Sequence, residues 1–186
     1  MSSASDLRAI ALAEFASVGF GGTSLQRIAD RAGLSKSAVL YHFASKEALL
    51  AAAIGPAIDR MEALLGDFTS QPLTAENRLR FLEGFTDLLL AHRLEVHMFI
   101  NQGPSLVDVP VIDRANELVL GLARFFDSAT SSTIDKMRFG VALGGAAYTL
   151  CTVQTLGLEP TPDDETRAAL ITIMSELLAP VATSLD

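Results

Sequence analysis

Tryptophan is absent from the 186 residues, cysteine occurs once and histidine three times. A lone Cys151 cannot build a disulfide framework within one chain, and it points to a reducing compartment. Paired cysteine ligands are missing. His92 and His97 stand five apart, off the spacing that puts two ligands on one helix face, so no metal site is expected. There is no glycine-rich phosphate loop and no nucleophile-elbow sequence, which argues against an enzyme and against a cofactor. Positive charge is scarce: 14 Lys and Arg stand against 22 Asp and Glu, for a net charge of −8, an unpromising value for a nucleic-acid binder. The opening Met-Ser-Ser-Ala-Ser-Asp has no basic start followed by an apolar run, so no signal peptide is expected and the location expected is cytoplasmic. One uncharged run, Phe139 to Leu158, has the length of a membrane span. It carries Tyr148, Thr149, Thr152, Gln154, Thr155 and four glycines and lacks basic flanks, so it reads as a helix buried by protein, with no membrane partner.

What is present is apolar and helical. Hydrophobic residues make up 49% of the chain and mean hydropathy is +0.35, which excludes a disordered chain. No strand-like alternation persists, whereas helical spacing recurs throughout, so the fold class expected is all-α. Leu7, Ile10, Ala11, Phe15 and Val18 mark the inner face of a first helix. A second runs from about Ser24 to Ala32 with Thr23 or Ser24 as its cap, a third from Ser35 to near Phe43, and a fourth from Ser45. Gly55-Pro56 predicts a kink or break, with helix resuming to about Phe68. Further helices are expected over Ala75 to His92 and on to Gln102, over Ile112 to Phe126, and over Thr133 to Leu156. A last one begins at Thr161-Pro162, with Thr161 as cap.

Charge divides the chain in two. Residues 1–47 hold five basic side chains (Arg8, Arg27, Arg31, Lys36, Lys46) and four acidic ones (Asp6, Glu14, Asp30, Glu47), a balance of +1. The other nine basic and eighteen acidic residues lie in 48–186. Two domains with different tasks are therefore expected, 1–47 and 48–186.

Within the first, residues 24–43 read as one physical object. Leu25, Ile28 and Ala29 form the inner face of a short helix, and Ala29 is small enough for another helix to pass closely. Gly33 permits the left-handed backbone that stops it. Leu34 plugs the angle between two helices, Ser35 caps the next, and Val39 and Phe43 continue the buried face. A helix, a tight glycine turn and a second helix is the arrangement that places a recognition helix in the DNA major groove. On the outward side, Lys36 and Ser37 suit phosphate or base edges, Ala38 suits a thymine methyl, and Tyr41 and His42 can donate to phosphate. Lys46 opens the fourth helix, where its charge and the free N–H groups together suit a phosphate. Thr23 is a cap with an added phosphate contact open to it. Gln26 and Arg27 fit a solvated helix face equally well.

These residues resemble the TetR family of bacterial regulators. The resemblance is carried by Thr23-Ser24-Leu25-Gln26-Arg27-Ile28-Ala29, by Gly33-Leu34-Ser35-Lys36-Ser37-Ala38-Val39-Leu40-Tyr41-His42-Phe43, and by Ala44-Ser45-Lys46-Glu47-Ala48-Leu49-Leu50. Many members carry an aromatic at the position of Leu40 and a glycine at that of Ser37; here the aromatic is Tyr41 alone. The resemblance implies an N-terminal three-helix DNA-binding domain and a C-terminal helical bundle for ligand binding and dimerisation. It further implies a homodimer on a near-palindromic operator in double-stranded DNA, and a small-molecule effector that releases the DNA. A helical protein-interaction module with a vestigial helix-turn-helix is the alternative, kept open by the near-neutral first segment.

The C-terminal expectations rest on side-chain character. Phe81, Phe85, Met98, Phe99, Phe126 and Tyr148 are candidates to line an effector cavity, with a plain core as the competing assignment. His92, His97, Asn101 and Gln102 are polar residues beside apolar runs, available to orient a ligand; His97 and Asn101 are placed with the pocket. Gly140, Gly144, Ala147 and Cys151 make a small-residue stripe that, with Leu170, Met174 and Leu177 of the last helix, predicts a dimer interface, with a helix contact inside the chain as the competing assignment.

Overall fold

Serine starts the first four helices, and each does so by the same chemistry: a hydroxyl accepts a backbone N–H that has no partner within the helix. In the computed structural model, which describes residues 3–103, 106, 109–152, 159 and 161–181, Ser3 caps α1 (Ala4–Val18). There the Ser3 Oγ accepts the Asp6 N–H at 3.2 Å while the Asp6 carboxylate accepts the Ser3 N–H at 2.8 Å, a reciprocal capping box. The hydrogen bond from the Ser3 backbone N–H, aided by the Ser3 side chain, holds the Asp6 carboxyl below its ordinary value. Ser24 caps α2 (Leu25–Ala32) through the Arg27 N–H, and Ser35 caps α3 (Lys36–His42) through the Ala38 N–H. Ser45 precedes α4 (Lys46–Thr69) and accepts the Ala48 N–H at 3.0 Å.

The helix expected to kink or break at Gly55-Pro56 is a single element. Pro56 is exposed, so its ring meets solvent, while Ala53, Ile54, Ala57 and Ile58 bury the opposite face on either side of it. That burial outweighs the one backbone hydrogen bond proline cannot make. The chain continues as α5 (Ala75–Ala91), α6 (Arg93–Gln102), α7 (Pro110–Ala129), α8 (Thr133–Thr152) and α9 (Asp163–Leu178), and the described residues contain no strand. Helix α9 starts without a side-chain cap: Pro162 occupies that position, not Thr161, and the Thr166 N–H bonds the Pro162 carbonyl. Acids Asp163, Asp164 and Glu165 in the first turn complement its N-terminal dipole. Residues 153–158, which include the expected end of the long helix, lie outside the described residues, as does Pro104.

The helices fall into two compact units. One comprises Met1–Ile58 with Leu94–Ala115, the other Asp59–Arg93 with Asn116–Asp186. The first is therefore larger than the 1–47 segment marked out by charge, because 94–115 packs with it. In its core Leu7, Ala11, Phe15, Ile28, Ala29, Val39, Leu49, Leu50 and Met98 are wholly buried. The second is centred on phenylalanine. Phe68 stacks on Phe81 with centroids 4.3 Å apart, Phe81 on Phe85 at 5.8 Å, and Phe126 on Phe139 at 3.6 Å. Leu82, Leu89, Leu150, Met174 and Leu178 complete the packing. Long polar ties cross this unit. The Arg78 Nη1 donates to the Val181 carbonyl at 3.1 Å, the Arg138 Nη1 to the Leu177 carbonyl at 2.8 Å, and Arg167 grips Asp87 with two bonds of 2.5 and 3.0 Å. Burial of Arg78 pushes its pKa below the ordinary arginine value.

No described helix is long and apolar enough to cross a membrane. The described part of the uncharged run lies in α8, whose Phe139, Ala142, Leu143, Ala146 and Leu150 face the core of the second unit.

Candidate nucleic-acid interface

The turn between α2 and α3 is built as its residues dictate. Gly33 has φ +66° and ψ 31°, the left-handed region where a side chain would be strained. The Leu34 N–H reaches back to the Ala29 carbonyl at 2.9 Å, closing the end of α2. Leu34 is half-buried and Ala29 and Ile28 are wholly buried, so the turn is pinned at its centre. Ser35 then starts α3, with its hydroxyl also 2.9 Å from that of Ser37.

Only one residue of α3, Val39, is fully buried. Lys36, Ser37, Leu40, Tyr41 and His42 are exposed, and Ala38 is half-buried. Tyr41 is 86% exposed, a value that no packing role within the chain accounts for. Its ring meets the His42 ring edge-on with centroids 5.4 Å apart. Lys36, Ser37, Tyr41 and His42 thus stand together on the solvent side of a short helix whose other face is locked.

Two residues assigned to DNA by sequence have other engagements. Thr23 is buried, and its hydroxyl lies 2.8 Å from the Gly19 carbonyl and 3.3 Å from that of Glu14, so the side chain faces inward and does not present a phosphate contact. Lys46 is half-buried: its Nζ donates to the carbonyls of Phe20 at 2.8 Å and Thr23 at 3.0 Å and lies 4.2 Å from the centroid of the Phe20 ring. Lysine at the head of α4 therefore closes the α1–α2 turn, and at most its remaining N–H is left for a phosphate.

Glu14 was missed altogether. It is 2% exposed and bound by two arginines of α2: the Arg27 Nε donates to one oxygen, and the Arg31 Nε lies 3.0 Å from the other. A buried carboxylate is tolerated only with such partners. Both arginine side chains are more than half exposed, and Arg27 and Arg31 line a surface depression of about 690 Å³ with Gly22, Ser24, Gln26 and Asp30. The signal was present: Glu14 lies on the apolar face of α1, three residues after Ala11, and Arg27 and Arg31 stand four apart.

The C-terminal assignments separate. Phe81, Phe85 and Phe126 are buried in the phenylalanine cluster, where their rings pack on one another. His97, Met98 and Asn101 belong to the other unit, with Met98 in its core and the Asn101 amide donating to the His97 carbonyl at 2.9 Å. Tyr148 is 58% exposed and so does not line an internal cavity. Of the residues assigned to dimerisation, Gly140 and Gly144 are exposed and Ala147 and Leu177 half-buried, but Cys151, Leu170 and Met174 are buried within the chain. The last three are core residues of the second unit. Burial raises the Cys151 thiol to about 11. The outward face of α8 carries Met137, Val141 and Tyr148 beside the two glycines, and α9 adds Ile173.

Among the described residues no cluster of His, Cys, Asp and Glu is arranged to hold a metal ion.

Comparison with known proteins agrees with this geometry. Residues 7–53 match the family model of bacterial regulatory proteins, tetR family. The HTH-type transcriptional regulator RutR of Escherichia coli is 34% identical over 121 residues, 60% of this chain and 57% of that protein. An HTH-type transcriptional regulator of Bacillus subtilis, YerO, is 42% identical over 62 residues, 31% of this chain and 22% of that one. The chain thus spans less than two thirds of the length of these curated relatives. Among solved structures, SCO3833, a TetR-family member from Streptomyces coelicolor, superposes with a TM-score of 0.70 at 18% identity over 95% of this chain and 90% of that one. The ketosteroid transcriptional regulator KstR2 of Mycobacterium tuberculosis gives a TM-score of 0.65 at 16% identity over 95% of each chain. At these identities the structures speak for the fold, and the relatives matched by sequence are transcriptional regulators and not enzymes. The helix-turn-helix thus lies inside a segment, residues 7–53, that matches the tetR family model, and the all-helical fold is shared with solved TetR-family structures.

Proposed function

We propose that this protein is a cytoplasmic, ligand-responsive repressor that binds a near-palindromic DNA operator as a homodimer and is released by a small molecule. The observation that carries the DNA-binding part is the outward face of α3, where Lys36, Ser37, Tyr41 and His42 are exposed on a helix fixed by Val39, Gly33 and Ser35. Small or polar residues at the N-terminal end of such a helix permit close entry into a major groove. With so little net positive charge in residues 1–47, affinity rests on a few placed contacts and on two copies acting together. The apolar face of α8 and α9, with Met137, Val141, Tyr148 and Ile173 exposed beside Gly140 and Gly144, supports self-association. A Cβ at either glycine would meet nothing within 4 Å in the chain, which leaves room there for another helix.

A gel shift with DNA flanking the protein's own gene tests this. Binding is expected to weaken with salt, and Tyr41→Ala is expected to weaken it about tenfold or more. Ser37→Ala should change which sequence is preferred. A chain that shifts no fragment, or shifts all fragments indifferently to Tyr41→Ala, would be the interaction module with a vestigial helix-turn-helix. Effector release is tested by adding candidate small molecules to the bound complex.

A further inference from the structure

The α1–α2 turn is held by a side chain far away in sequence. Gln102 ends α6, 82 residues beyond Phe20 and 87 beyond Phe15, within the same compact unit. Its Oε1 accepts the Phe20 N–H at 2.8 Å, and its Nε2 donates to the Phe15 carbonyl at 2.6 Å. The amide orientation follows from its partners, because the flipped group would face donor with donor and acceptor with acceptor. The two bonds straddle the end of α1, one to its last turn and one just beyond it: Gly19 stands at φ +89°, its N–H bonds the same Phe15 carbonyl at 3.0 Å, and a Cβ built on it would approach the Gln102 Oε1 to 3.7 Å. Phe20 is buried with its ring 5.2 Å from that of Phe15. Lys46 binds the other side of the turn at the Phe20 and Thr23 carbonyls. The next residue, Ser24, caps α2, and α2 leads through Gly33 to α3. Gln102 thereby fixes the backbone from which both helices of the motif depart.

We propose that Gln102 is a positioning residue for DNA recognition: it sets the α1–α2 turn and, through it, the seating of α2 and α3. The proposal rests on the DNA-binding function argued above. A neutral amide spent on two backbone groups supplies no phosphate contact, so its loss should lower affinity without altering the salt dependence, which counts neutralised phosphates.

The test uses the full chain, the DNA that the wild-type chain selects from a random pool, and Gln102→Met, similar in shape but without either hydrogen bond. Affinity is measured by fluorescence anisotropy over a range of salt, and amide hydrogen exchange is followed in the free protein. The expected result is binding weakened about tenfold, an unchanged slope of log affinity against log salt, and faster exchange at Phe20, with the interior of α1 and α4 still protected. Gln102→Ala should behave alike and serves if Gln102→Met does not fold. Wild-type affinity in both variants overturns the proposal. So does weakened binding accompanied by uniform loss of protection, which would make Gln102 a general stability contact. If the wild-type chain selects no DNA, the functional reading and this proposal fall together; faster exchange at Phe20 would then mark Gln102 as a contact of the fold alone.

Discussion

The two compact units are held together by different means. In the first, polar side chains bind backbone at short and long range: Ser3, Ser24, Ser35 and Ser45 cap four successive helices, and Thr23, Lys46 and Gln102 converge on one turn. In the second, stacked phenylalanines fill the centre and arginines reach across it to carbonyls and a carboxylate. Hydrogen bonds fix direction, and a short helix such as α3 needs direction, because its single fully buried residue cannot orient it alone. Aromatic packing fills volume and tolerates variation in shape. The first kind suits a surface that must meet a fixed partner, the second a core.

The comparison can be broken at its extremes. Phe126→Ala removes a ring 5% exposed and 3.6 Å from that of Phe139, and should cost about 3–5 kcal/mol in urea unfolding. A smaller loss would show that the phenylalanine cluster relaxes around the gap. In the first unit, the double change Arg27→Met with Arg31→Met leaves the Glu14 carboxylate buried without its partners. A cost of about 3 kcal/mol is expected, and adding Glu14→Leu should recover much of it. No recovery would mean the arginines matter for something other than that charge. Ser24→Ala removes the cap of α2 and should cost about 1 kcal/mol, measurable by thermal unfolding. A null result would deny that local polar bonds carry this unit.

The smallest effect concerns pH. Hydrogen bonds from Arg167 hold the Asp87 carboxyl below its ordinary value of 3.8. The fold favours the charged form, so this contribution is fully present above pH 3.8 and is lost as pH falls through the lower folded value. Asp87→Asn should therefore lower stability slightly at neutral pH, leave it unchanged at pH below the folded value, and so flatten the acid side of the profile. A variant with the wild-type acid profile would show that the exposed pair contributes nothing.

Legibility followed the same division. The helix-turn-helix could be read because its signals are local: Gly33 stops α2, Ser35 caps α3, and Ile28, Ala29 and Val39 mark the buried face within a dozen residues. The exposed face of α3 followed by subtraction. Continuity of α4 through Pro56 was not legible, since it depends on what the neighbouring apolar residues bury. The outer helices misled for a related reason. Leu170, Met174 and Cys151 have the character of an interface, but the chain itself already buries them, while Val141 and Ile173 were left outside.

The helix-turn-helix, its caps and its resemblance to the tetR family model were legible from sequence alone, because capping and glycine turns are written within four or five residues of one another. Where Lys46, Thr23, Glu14 and Gln102 direct their polar groups was decided only by the tertiary structure. Each meets a partner 4 to 87 residues away, and no local pattern specifies which partner a buried donor or acceptor will find. Net charge near zero in residues 1–47 looked like a weakness for a DNA binder. The structure gives it a different sense, since Arg27, Arg31 and Lys46 are in part occupied in holding the motif together.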